Sequence, residues 1–125
     1  MERVKGRIIN MKTAKELQIS EDQFKTISSK WVDTLVELHN IDYNQVGLKE
    51  LGRPEGYVSR QVSNWSKQYL KAATKENPAA DYVMKWMDTN QPTVYDHCLI
   101  HNDFKYDNLV FAENNFQKIE AILDW

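Results

Sequence analysis

Phe24, Ile27, Trp31, Leu35 and Leu38 recur at intervals of three and four residues, the spacing that lays one apolar stripe along a helix. Ser20 and Gln23 stand three apart just before it. That is a capping-box pattern, in which each side chain satisfies an orphan backbone donor of the other. Asn40 and Asp42 are expected to end the helix. A loop should follow from Asp42 to Gly56, punctuated by Gly47, Gly52, Pro54 and Gly56. A second helix is expected from Tyr57 to about Thr74, burying Val58, Val62, Trp65, Tyr69 and Ala73. A third opens at Asn77-Pro78, with proline suited to a first turn, and carries Tyr82, Val83, Trp86 and Met87 to a break over Asn90 to Thr93. Trp31, Trp65 and Trp86 are all expected in a core.

Past this point the period shortens. Cys98-Leu99-Ile100 predicts a short strand, and Leu109-Val110-Phe111 and Ile119 to Leu123 predict two more. The last two are joined through a tight turn at Asn114-Asn115. Helices first and a small β-element last predict an α+β chain. No internal repeat or low-complexity segment interrupts the order.

With 125 residues, the chain is sized for one domain. Its 42% hydrophobic and 27% charged residues are ordinary globular values and argue against disorder. Sixteen basic and 18 acidic residues give a formal net charge of −2, which points to neither nucleic acid nor an anionic membrane as partner. Cys98 is alone, so neither an intramolecular disulfide nor a cysteine metal site is expected. Residues 1–11 lack the apolar core of a signal peptide, and no stretch approaches the roughly 20 apolar residues of a membrane span. A cytoplasmic location fits these features best.

The chemistry concentrates in His101-Asn102-Asp103-Phe104-Lys105-Tyr106-Asp107-Asn108. The spacing is that of a kinase catalytic loop, H-x-D-x-x-x-x-N. An aspartate on such a loop orients an attacking hydroxyl toward a terminal phosphate, and an asparagine five residues on offers an oxygen to magnesium. Hard cations favour oxygen ligands, so asparagine and aspartate are the chemically apt residue types. The apolar run Ile122-Leu123 ends in Asp124-Trp125, the place where kinases carry the aspartate that grips magnesium on the ATP phosphates. Lys105 lies two residues after Asp103, in reach of a transferring phosphoryl group.

HNDFKYDNLVF followed by ILDW resembles the aminoglycoside and choline kinase-like phosphotransferases. The middle, from Gly47-Leu48 through Gly56-Tyr57, Arg60-Gln61-Val62, Trp65 and Tyr69, looks like the branch related to the kinase-like domains of acyl-CoA dehydrogenase family proteins. The resemblance implies a protein-kinase-like fold, seen in part as residues of the larger lobe (1–125). Within it residues 1–11 would be the hinge, 20–90 the helical part, and 98–125 the catalytic loop with a metal-binding hairpin. It implies Asp103 as catalytic base assisted by Lys105, Asn108 and Asp124 as magnesium ligands, and His101 as the brace of the loop. Met1, Glu2 and Val4 would meet the adenine of ATP. The acceptor would be a hydroxyl of a small molecule.

Two features depart from the family pattern. The β-rich lobe that clamps ATP has no counterpart in these residues, so the isolated chain is expected to transfer little phosphate. Asn102 stands where many relatives carry glycine. The alternative expectation is a non-catalytic helical fragment or binding module that keeps the loop by descent alone. His39 and His97 show no metal-ligand spacing and read as incidental. Arg60 is left between a substrate and an internal partner, and Lys71 to Glu76 reads as a solvated helix end.

Overall fold

A computed structural model describes residues 3–94 and 96–125. The elements run β1 (Arg7–Ile8), α1 (Met11–Glu16), α2 (Glu21–His39), α3 (Tyr57–Ala72), α4 (Pro78–Thr89), a 3-10 turn (Tyr106–Asn108), β2 (Leu109–Ala112) and β3 (Asn115–Ile122). The chain divides into two compact units, one made of the chain up to Tyr43 with Cys98–Trp125, the other of Asn44–His97.

The first unit holds the sheet and α2. Strand order is β1-β2-β3, antiparallel throughout. Leu109 and Val110 stand opposite Ile122 and Ala121, and Phe111 opposite Ile119, with register shifts on either side of Phe111. The extra β3 residues are the bulge that such shifts require. Gly6 sits where a side chain could not, because a Cβ there would run into the Phe111 carbonyl. This close approach lets β1 lie along β2.

Helix α2 begins as its pattern predicts. Ser20 N–H donates to Gln23 Oε1 at 2.8 Å, and Gln23 N–H to Ser20 Oγ at 3.3 Å. Helix α1 has a second such box. Asn10 N–H donates to Thr13 Oγ1 at 2.8 Å, and Thr13 N–H to Asn10 Oδ1 at 3.0 Å. Ile27, Leu109 and Phe111 are fully buried and Ile9 nearly so. Trp31, Phe104, Phe116, Ile119 and Ile122 pack around them. Fully burying such a side chain contributes about 1.5–3 kcal/mol, so these few residues dominate the cohesion of the unit.

In the second unit α3 packs on α4. Asn77 caps α4 through Ala80 N–H, with Pro78 in the first turn. The Arg60 guanidinium donates to the carbonyls of Glu55 and Arg53. It thereby closes the loop ahead of α3, which settles its role as internal support. The charged run 71–76 is exposed.

Four expectations need correction. Cys98-Leu99-Ile100 is not a strand. A strand needs a ladder partner, and this run pairs with none of the three strands of the sheet. The hairpin turn is Glu113-Asn114, one residue early, and Asn115 already opens β3. Trp65 and Trp86 are 64% and 53% exposed, and no residue of α3 or α4 is buried. Two helices packed on each other cover one stripe apiece and leave the rest of a wide apolar surface open. Phe24, at 42% exposure, likewise lies off the buried line of α2, which runs through Ile27, Thr34 and Leu38. Among the described residues no helix is long and apolar enough to cross a membrane.

Candidate active site

The segment 101–108 is a loop whose two ends are fastened by its own polar side chains. Asn108, 7% exposed, donates through Nδ2 to the Asp103 carbonyl at 2.9 Å and to Asp103 Oδ2 at 3.1 Å. Its N–H closes the 3-10 turn on the Lys105 carbonyl at 3.0 Å. Strand β2 starts at the next residue, so Asn108 is held by the ladder on one side and by Asp103 on the other. Lys105 Nζ lies 2.6 Å from Asp103 Oδ2.

His101 ties this loop to the end of the hairpin. Its Nδ1 accepts the Asp103 N–H at 3.3 Å, and its Nε2 is 2.7 Å from the Leu123 carbonyl. An acceptor at Nδ1 assigns the proton to Nε2, which then donates to Leu123. The Leu123 N–H in turn donates to the Asn108 carbonyl at 2.8 Å. Both backbone groups of Leu123 are therefore engaged by the loop, and Asp124 is the next residue. The Trp125 ring lies 4.9 Å from the imidazole, and its Nε1 donates to the Ile122 carbonyl.

Two backbone kinks make this possible. Asn102 has φ +64 and Asp124 φ +63, the left-handed region that L-residues avoid and that Asn and Asp tolerate best. Glycine would also suit position 102, since it enters that region without steric cost.

Electrostatics follow the contacts. The hydrogen bond from Lys105 holds the Asp103 carboxyl below the usual carboxylate range, against a smaller opposing effect of burial and with help from Asn108. The same bond raises Lys105, which also feels the negative charges of Asp103, Asp107 and Asp124. Asp103 is thus an ionised hydrogen-bond acceptor at neutral pH. Such a group can orient a hydroxyl.

Among the described residues no three His, Cys, Asp or Glu side chains form a metal cage. By chemistry Asn108 and Asp124 offer the oxygen donors that a hard cation takes. Asn108 uses its amide nitrogen on Asp103, which leaves an amide oxygen for the ion, and Asp124 adds an exposed carboxylate. Magnesium commonly takes one or two protein oxygens and completes its shell with phosphates and water.

The structure thus brings Asp103, Lys105 and Asn108 into direct contact, and bonds Leu123, the residue before Asp124, to Asn108 and His101. Val4 lies in the segment before β1 and is 42% exposed. Met1 and Glu2 lie outside the described residues. Sequence reasoning passed over the loop's aromatic support. Trp31 on α2 meets Phe104 at 5.0 Å and Tyr106 at 5.9 Å, and Ser28 Oγ is 3.2 Å from the Tyr106 hydroxyl. The signal was the aromatic pair flanking Lys105, which alternates like a strand within the motif.

Over its whole length the chain is 39% identical to acyl-CoA dehydrogenase family member 11 of Rattus norvegicus, 36% to that of Gallus gallus, and 33% to probable acyl-CoA dehydrogenase IBR3 of Arabidopsis thaliana. The chain covers 16% of the length of each of these relatives. No solved structure matches it. The phosphotransferase enzyme family (APH) matches residues 1–125, and with the mixed helix and antiparallel-sheet architecture this shows that the chain belongs to that family, whose fold is kinase-like and whose chemistry is phosphotransfer.

Proposed function

We propose that the chain carries the catalytic loop and metal-holding hairpin of an ATP- and magnesium-dependent phosphotransferase acting on a hydroxyl of a small molecule. It would then be part of the larger lobe of a kinase-like domain. The observation that carries this reading is the fastening of Asp103, Asn108 and the Leu123-Asp124 segment to one another through His101.

Asp103 Oδ2 is engaged by Lys105 and Asn108, so Oδ1 is the oxygen offered to the acceptor hydroxyl. Its low proton affinity suits a loose transition state, in which alignment and charge stabilisation matter more than early proton removal. Asn108 and Asp124 would hold magnesium, which supplies positive charge along the nucleotide phosphates. Lys105, already beside Asp103, would neutralise charge on the phosphoryl group in flight. The segment 1–11, including Met1, Glu2 and Val4, would serve as the adenine-facing hinge.

The test is magnesium-dependent transfer of the γ-phosphate of labelled ATP to a panel of hydroxyl-bearing small molecules. It is run on the chain alone, where little transfer is expected, and on the rat relative with this chain spliced in for its matching segment. Losing an oriented general base typically lowers rate by about 10²–10⁴, so transfer by the spliced protein should fall that far in Asp103→Asn. Transfer insensitive to that change, or none to any hydroxyl, refutes the reading.

A further inference from the structure

The backbone at Lys105 is extended, with φ −137 and ψ 165. In extended chain successive side chains project to opposite sides, so residues 104 and 106 share one side and residue 105 takes the other. The shared side is occupied by α2. Trp31 packs on both Phe104 and Tyr106, and Ser28, one helical turn before Trp31, meets the Tyr106 hydroxyl. The opposite side is where Lys105 reaches Asp103. Lys105 and Asp103 are both about half exposed, so their own packing does not dictate this pairing. A flexible lysine on a solvated surface ordinarily samples many rotamers, and exposed ion pairs hold weakly.

We propose that Ser28 and Trp31 of α2 are positioning residues, which grip Phe104 and Tyr106 on either side of Lys105 and so turn Lys105 onto the Asp103 carboxylate. The inference rests on the reading of Asp103 and Lys105 given above for its functional meaning, but its geometry stands apart from any turnover. Helix α2 then acts on the site through Phe104 and Tyr106. Its Ser28–Trp31 face fixes the direction of the one loop cation beside the acceptor-orienting aspartate.

The test uses the whole chain and reads the rate at which a soluble acylating reagent modifies Lys105, followed by peptide mass spectrometry. Exposed Lys12 and Lys118 serve as internal references. Asp103→Asn defines the fully released limit. Tyr106→Phe keeps the ring and removes the hydroxyl, and Ser28→Ala removes the other partner. Each should speed Lys105 modification about two- to tenfold, the range that corresponds to one neutral hydrogen bond, and the double variant should be no faster than either. Ser28→Thr, which keeps a hydroxyl, should restore the slow rate. Trp31→Phe, a milder change than truncation, should fall between wild type and the released limit. Circular dichroism confirms the fold of each variant. Unchanged Lys105 reactivity in Tyr106→Phe and Ser28→Ala, or additive effects in the double variant, overturns the proposal. The labelling result does not depend on phosphotransfer, so a failed transfer assay and a failed positioning device are told apart.

Discussion

Replacing His101 by phenylalanine isolates what the imidazole does as a polar connector. The ring is 7% exposed and lies 4.9 Å from Trp125 and 6.0 Å from Phe104, so a phenyl ring keeps most of its packing. What disappears are the two bonds, to the Leu123 carbonyl at 2.7 Å and from the Asp103 N–H at 3.3 Å. A typical intramolecular hydrogen bond contributes about 0.5–1.5 kcal/mol, and two therefore give about 1–3 kcal/mol. That is a sizeable part of a net stability of about 5–15 kcal/mol. With a urea slope of about 1–3 kcal/mol per molar, the unfolding midpoint should drop by about 1 M. Amide exchange read residue by residue gives the location. Asp103, whose N–H is the donor to the imidazole, should lose protection, while Ile27 in α2 should change only with global stability. A midpoint shift below about 0.2 M, with Asp103 still protected, refutes the claim that His101 joins the loop to the hairpin end.

Three further outcomes follow from single contacts. Gly6→Ala forces a Cβ against the Phe111 carbonyl, and should cost about 1–3 kcal/mol as overpacking does; an unchanged melting curve would count against the β1–β2 approach. At Asn102, φ +64 predicts that glycine is tolerated. Valine should cost about 1–2 kcal/mol, and equal urea midpoints for the two variants would contradict the left-handed assignment. The Asp103 carboxyl, held low first by Lys105, should titrate in carbon-13 NMR below an ordinary aspartate and move up in Lys105→Met. Because its proton affinity is depressed in the fold, any stabilisation from the pair is present above the unfolded carboxyl range and is lost as pH falls through the folded one. An Asp103 titration unmoved by Lys105→Met would rule out the ion pair in solution.

Much of the site was legible because its chemistry is local. Asp103, Lys105 and Asn108 lie within six consecutive residues, so spacing alone brings them together once the chain turns. The Ser20 box and the apolar run Leu109-Val110-Phe111 were legible for the same reason, each being a short-range signal. The misses are long-range. Whether Cys98-Leu99-Ile100 forms a strand depends on whether the fold brings a sheet edge alongside it, which the local pattern does not encode, and the sheet is instead completed by β1 from the other end of the chain. The exposure of Trp65 and Trp86 depends on how many layers pack on α3 and α4, which their periodicity does not encode. Strand β3 begins at Asn115, ahead of the expected Ile119; Gln117 and Lys118 break its apolar alternation, although Phe116 and Ile119 still pack on the core. The grip of Ser28 and Trp31 on the loop spans 78 residues between Ser28 and Tyr106, far beyond any window of local pattern.

In the proposed phosphotransferase Asn108 and Asp124 lie close enough to share one divalent ion beside Asp103. Manganese, a paramagnetic stand-in for magnesium, tests this directly when titrated into nitrogen-15-labelled chain. Broadening should begin at the Asn108 side-chain amide and at the backbone amides of Asp103 and Asp124, and should vanish from all three in Asp124→Asn. Broadening confined to other carboxylates, such as Glu21 and Asp22 on α2, with residues 103–108 and 124 left sharp, would contradict it.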